Sequence, residues 1–249
     1  MISVVIPSYK NLALCQQAVA SVLKQASCNY EVIITDDTPG SEIEVWANSL
    51  NSNRIRYYHN VPSKGAIDNW NYGLSLAKGD ILILLHHDEA FINEDYLEKL
   101  SILLKRNDVV ISNKKVIVAS GVKKERFPNW IKRIILFLKY PLFAINVIGP
   151  CACVAFRKEF LQEFDNRMHW KVDIDWYFRI LKSAKKVLYI DSQEIISHHG
   201  HDGQITNNIN IAEVAASDIS IIRDKYNSFT VNLFLMIGKL LYKLKKSFK

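Results

Sequence analysis

The order of apolar and polar positions changes character twice along the chain. Up to about residue 112, short apolar runs alternate with stretches of helical spacing. Ile2, Val4, Val5 and Ile6 form a β-branched run stopped by Pro7, which predicts a buried strand. Asn11 stands where it can cap a helix through residue 26, with Leu12, Ala18, Val22 and Leu23 along it. Residues 31–35 predict a second strand, 41–50 a helix with Glu42 and Glu44 in its first turn, and 55–59 a third strand. Residues 65–77 predict a helix stopped by Gly79, 81–85 a wholly apolar fourth strand, 93–105 a helix and 109–112 a fifth strand. This alternation predicts an α/β fold of Rossmann-like type, a mostly parallel central sheet with helices on both faces.

Beyond residue 113 the rhythm is less regular. Residues 114–122 predict an extra strand, 147–156 a strand, 171–183 a helix and 186–190 a last short strand. Residues 123–140 are basic and aromatic and in part helical, with Trp130, Ile131, Ile134, Phe137 and Leu138 among Lys123, Lys124, Arg126, Lys132 and Arg133. From about residue 226 a basic amphipathic helix is expected. Leu233, Met236, Ile237, Leu240, Leu241, Leu244 and Phe248 share one face, and Lys239, Lys243, Lys245, Lys246 and Lys249 take most of the rest. The expected division is a domain over 1–225, split into halves 1–112 and 113–225, and a membrane-associating tail over 226–249.

Composition narrows the classes. Apolar residues make up 49% of the 249 and charged residues 23%, so the chain can bury a core and is not a disordered polymer. Four cysteines make no disulfide framework. The longest apolar stretch, 134–148, is interrupted by Lys139, Pro141 and Asn146, so no membrane span is expected. No signal peptide is recognisable either, and the expectation is a cytoplasmic chain. The formal net charge of +7 favours an anionic partner. The excess gathers in the two amphipathic flanks and no groove-reading module is evident, which argues for an anionic membrane surface and against nucleic acid.

Three polar clusters follow predicted strand ends: Ser8-Tyr9, Asp36-Asp37 and His86-His87-Asp88-Glu89. In parallel sheets ligands bind at the carboxyl edge of the strands, so the three converge on one candidate site. Asp88 can offer a carboxylate to Mg²⁺ or Mn²⁺, which keep positions open for phosphate oxygens. Read alone, the same residues also suit a solvated loop, and Asp36 to Gly40 a turn. Asp173 and Asp175 also suit the first turn of a helix. His198, His199 and His201 could bind metal or diphosphate, or form an exposed loop.

Several of these segments together resemble family 2 glycosyltransferases. Ile2 to Asn11 resembles the family's opening strand followed by P-x-Y-N, and Glu31 to Asp37 its second strand with an acidic pair. Asn69-Trp70-Asn71-Tyr72-Gly73 and the Gly79-Asp80 that follows resemble its N-W-N stretch, and His86 to Glu89 stands at its D-x-D position, with His86 replacing the first acid. The resemblance implies a GT-A fold, a nucleotide-diphosphate-sugar donor and Mn²⁺ or Mg²⁺. It implies that Pro7, Ser8, Tyr9, Asp36, Asp37, Asn71 and His87 bind the nucleotide, that Asp88 and His201 serve the metal, and that Gly149, Glu89 and His86 shape the sugar pocket. Val172 to Arg179 resembles the family's acidic stretch ending in Arg, which implies Asp173 as the catalytic base with Asp175 as second choice. The implied activity is inverting transfer from a UDP- or dTDP-sugar to a hydroxyl of a glycan or lipid-linked acceptor in surface polysaccharide assembly, at the inner face of the cell membrane. The alternatives are a nucleotidyltransferase, disfavoured because no glycine-rich phosphate loop follows the first strand, or a catalytically degenerate nucleotide-sugar-binding protein.

Overall fold

A computed structural model describes residues 1–26, 29–123, 127–200 and 210–247. The first half alternates as expected. Strand β1 (Ile2–Ser8) leads to α1 (Leu12–Leu23), β2 (Tyr30–Asp36), α2 (Glu42–Ser49), β3 (Ile55–His59), α3 (Ala66–Ser75) and β4 (Ile81–Leu84). The Asn11 side chain accepts a hydrogen bond from the Leu14 N–H, which caps α1 as its position predicts. Strands β1 and β2 are buried along their whole length, which is why they lack polar alternation. Successive residues point to opposite faces of a strand. Ser8 meets Cys15 of α1 on one face, while Ser3 on the other bonds Gly79, just past α3. Helices therefore cover both faces.

The remaining elements are β5 (Glu89–Phe91), α4 (Tyr96–Leu103), β6 (Val109–Val118), β7 (Gly121–Lys123), α5 (Asn129–Leu138), β8 (Val154–Arg157), α6 (Val172–Ser183), β9 (Val187–His198), α7 (Ile211–Tyr226) and α8 (Phe229–Ser247), with a 3-10 turn at Tyr140–Phe143. One sheet runs in the order β3-β2-β1-β4-β8-β6-β9-β5, with β7 paired to β6. Pairing is parallel from β3 to β4, as expected. Beyond β4 the sheet becomes mixed, because β8 enters antiparallel between β4 and β6.

Several expectations are corrected here. The extra strand at 114–122 is the second half of β6, which turns back at Gly121 into β7. Only 154–156 of the apolar run 147–156 is strand, and β8 goes one residue further. Gly149 and Pro150 break the run, and Cys151–Cys153 forms a 3-10 turn. The short last strand is 12 residues long, since β9 passes through Asp191, Ser192 and Gln193 by way of a register irregularity opposite Asn113. In α5, Lys132 is fully buried and bonds Asn113, so it does not join an outward basic face, whereas Arg133 is exposed and pairs there with Asp191. Val231 and Leu235 of α8 are buried, and α8 packs on the Tyr140–Phe143 turn. Among the described residues no helix is long and apolar enough to cross a membrane.

Candidate active site

The carboxyl ends of β1, β2 and β4 lie along one edge. Ser8 stands opposite Asp36, Val5 opposite Leu84, and the Leu85 N–H continues the pairing to Val5. The three polar clusters anticipated from the sequence therefore share that edge. Tyr9 presents its ring there, 42% exposed, and the His87 Nδ1 lies 3.4 Å from the Pro7 carbonyl. Pro7 itself belongs to the buried strand, and the Ser8 hydroxyl turns inward to Cys15, 3.1 Å away.

Asp36 and Asp37 are both enclosed by their own surroundings. Asp36 accepts from the Thr38 N–H at 2.9 Å and from the Tyr57 hydroxyl at 2.8 Å. Asp37 accepts from Asn60 Nδ2, the Lys64 N–H, the Ser63 hydroxyl and the Gly65 N–H at 2.6–2.9 Å. Burial works to raise the Asp37 carboxyl, but these four bonds outweigh it and hold it below its usual range. A carboxylate has about four lone-pair positions, and the loop before α3 fills them. The Asp37 side chain thus organises its own loop, and the base contact expected of it finds no open lone pair. Asn71 is likewise engaged: it donates to the Phe164 carbonyl and accepts from the Phe164 N–H, which ties α3 to the segment before α6 rather than to the nucleotide edge.

After β4, Glu89 folds back on His86. One carboxylate oxygen accepts from the His86 N–H at 3.0 Å, and the other lies 3.1 Å from Nδ1. Burial alone disfavours a charged imidazole, yet the Glu89 carboxylate outweighs it and raises His86 above its usual range, with further support from Asp88 and Asp173. Trp70 packs on the ring, with centroids 4.6 Å apart. Glu89, 4% exposed, therefore holds His86 and does not line a pocket. The Asp88 carbonyl accepts from the His198 N–H, so the end of β9 closes on this loop.

Asp173 and Asp175, two residues apart on α6, face different ways. Asp173 accepts from Asn146 Nδ2 at 2.8 Å and from the Ile174 N–H at 2.8 Å. Burial pushes its carboxyl up to about 6, against the pull of that N–H and of the Lys171 and His86 charges. Asp175 is fully buried and bound to Arg179, Lys225 and Tyr226 at 2.6–3.0 Å. Its carboxylate fastens α6 to α7, which removes it from reach of a substrate hydroxyl. The charges of Asp88 and Asp173 both act on His86, and those of Asp173 and Glu89 both act on Cys151. One neighbourhood thus joins the β4 loop to the start of α6, whereas Asp37 lies two strands away.

Gly149 has φ +109°, a conformation that favours glycine, and an added Cβ would collide with the Lys114 side chain. Its carbonyl accepts from the Tyr177 hydroxyl. Sequence reasoning missed Asn60, Ser63 and Asn146. Asn146 did leave a signal, as a lone polar residue inside an apolar run. Among the described residues no three His, Cys, Asp or Glu side chains gather to hold a metal ion. Asp88 alone suits Mg²⁺ or Mn²⁺, hard cations that take one or two carboxylates and complete their shell with water and phosphate oxygens. His201 lies outside the described residues.

A parallel sheet edge carrying polar loops, with a partly buried carboxylate at the start of α6, defines the class: an α/β protein with its polar loops gathered where such sheets bind ligands. The model of the family described as Glycosyl transferase family 2 matches residues 3–165, and the chain belongs to that family. An uncharacterized glycosyltransferase of Rickettsia typhi is 27% identical over 222 residues, covering 83% of this chain and 66% of that one. A protein of Escherichia coli K12 named for colanic acid biosynthesis, glycosyl transferase WcaA, is 26% identical over 217 residues, 83% of this chain and 76% of that one. Among solved structures, S. aureus TarS 1-349 in complex with UDP-GlcNAc superposes with a TM-score of 0.72 at 14% identity, over 94% of this chain and 71% of that one. The mannosyltransferase PcManGT of Pyrobaculum calidifontis, in complex with GDP-Man and Mn²⁺, gives 0.66 at 15% identity, over 95% and 68%. The fold is that of the GT-A glycosyltransferases.

Proposed function

We propose that the protein is an inverting glycosyltransferase that moves a sugar from a UDP- or dTDP-sugar to a hydroxyl of a glycan or lipid-linked acceptor in surface polysaccharide assembly. Residues 1–112 take the donor and 113–225 the acceptor. The nucleotide lies along the edge formed by Tyr9, the Asp36-Asp37 turn and His87. Asp88 would hold Mn²⁺ or Mg²⁺, and the ion would supply positive charge against the diphosphate.

Asp173 is the base. The acceptor oxygen forms the new bond to the anomeric carbon as the bond to the diphosphate oxygen breaks, and the diphosphate leaves with that electron pair. The acceptor proton passes to Asp173. A single displacement inverts the anomeric centre. One observation carries this reading: of the two acids on α6, Asp173 faces the His86 neighbourhood with a carboxyl raised to about 6, near where a general base works best at neutral pH.

The reading extends to place. The E. coli relative is named for colanic acid biosynthesis, and the sequence from 229 to 249 carries five lysines and no acidic residue. These features support a peripheral position on an anionic inner membrane face. The chemical test is transfer from a panel of nucleotide sugars with Mn²⁺ present. Asp173→Asn is expected to lower turnover by about a thousandfold or more while nucleotide affinity holds. Turnover like that of the unaltered protein would remove Asp173 as the base.

A further inference from the structure

The turn between the Tyr140–Phe143 segment and Gly149 is held from several sides. Asn146 Oδ1 accepts from the N–H groups of Ile148 and Gly149, both at 3.0 Å. Lys114 Nζ donates to the Ile148 carbonyl at 2.9 Å, and the Tyr177 hydroxyl donates to the Gly149 carbonyl at 2.9 Å. A side-chain amide fixed in this way has a set direction. Its Nδ2 points to Asp173 and donates to Oδ2 at 2.8 Å. The other oxygen, Oδ1, accepts from the Ile174 N–H. Asn146 is exposed, so this bond lies at the open side of the carboxylate.

We propose that Asn146 is a positioning residue for the transfer reaction: its amide fixes the rotation of the Asp173 carboxylate and so the direction in which the remaining lone pair meets the acceptor hydroxyl. The proposal rests on Asp173 being the base. No other described side chain donates a hydrogen bond to that carboxylate. The titratable groups around it are His86 from the β4 loop, Cys151 from its 3-10 turn, and Lys171 and Tyr177 of the α6 region. Lys171 and His86 act through charge alone, which does not select a rotamer.

A donor to a carboxylate favours its ionised form, so loss of the donor raises the pH at which the base becomes active. Asn146→Asp tests this with little disturbance of the turn. It keeps an oxygen for the Ile148 and Gly149 N–H groups, removes the donor, and sets a negative charge beside Asp173. Asn146→Ala removes both functions. Measured as pH profiles of kcat/KM with saturating nucleotide sugar, both variants are expected to move the acidic limb upward. The shift is about one pH unit for Ala and more for Asp. The kcat at the optimum should fall about ten- to a hundredfold. The KM for the nucleotide sugar should not change, and Asn146→Asp should melt within a few degrees of the unaltered protein.

An acidic limb that stays in place in both variants would overturn the proposal, whatever happens to kcat, because a residue that only holds the turn has no reason to move it. A second comparison separates this result from failure of the base itself. If Asp173→Asn abolishes turnover, the base stands, and Asn146→Ala added to it should change the residual rate by less than twofold. A further tenfold loss in that double variant would show that Asn146 acts other than through Asp173.

Discussion

Two carboxylates two residues apart show how strongly surroundings decide chemistry. Asp173 has one side-chain donor and is partly exposed, while Asp175 is enclosed by an arginine, a lysine and a tyrosine. The raised carboxyl of Asp173 has a consequence for stability as well as rate. Unfolded, it releases its proton near its ordinary value of 3.8; folded, it keeps the proton until about 6. Between those values the folded chain binds more protons than the unfolded one, so stability falls as pH rises through the window. Asp173→Asn is therefore expected to stabilise the fold at pH 7.5, on the order of 2 kcal/mol, and to change little at pH 3.5. Thermal melts at the two values check this, and equal effects at both would contradict it. Activity of the unaltered enzyme should fall on its acidic side near pH 6. Only Arg179 among the partners of Asp175 is local; Lys225 and Tyr226, which complete its enclosure, are some fifty residues further along the chain.

At the scale of elements, the start of α6 is held from α7. The buried carboxylate of Asp218 accepts from the N–H groups of His169, Trp170 and Lys171 at 2.6–3.2 Å, just before the turn that carries Asp173. Asp218→Ala leaves those donors without an acceptor, and a loss of about 3 kcal/mol is expected in urea unfolding. A loss below about 0.5 kcal/mol, the level of an exposed substitution, would contradict this role. Strands β1, β2 and β4 are legible because their apolar runs are buried on both faces. Strand β9 was read too short because Asp191, Ser192 and Gln193 resemble a strand end, although the chain carries on through the irregularity opposite Asn113. Strand β5 has only three residues. Helix α7 buries only Asp218 and Ile222, so its pattern announces little. The acidic pair at 36–37 was placed correctly on its strand end, but its bonding depends on Asn60, Ser63 and the turn at Gly65, which no short motif brings together.

In the whole molecule, one sheet spans both halves, and α8 returns from the end of the chain to pack beside the second. Its inward residues Val231 and Leu235 belong to the core, while Met236, Leu240, Tyr242 and Leu244 are about half exposed. Two truncations are therefore expected to differ. Ending the chain after Tyr242 removes four lysines, each contributing about 1 kcal/mol near an acidic leaflet. It should weaken flotation with vesicles containing phosphatidylglycerol while the melting temperature holds. Ending it after Ser228 should lower the melting temperature as well, because it uncovers the core beneath Val231 and Leu235. Undiminished flotation of the shorter cut would refute a lipid role for the lysines.

Gly238 sits so close to Ala144 that an added Cβ would come within 2.9 Å of its Cα. Two peptide units further on is Asn146, whose amide donates to the Asp173 carboxylate. The seat of the last helix and the tether of the Asp173 carboxylate thus share one short span of backbone. A displacement of either has almost no slack to absorb it before the other feels the pull.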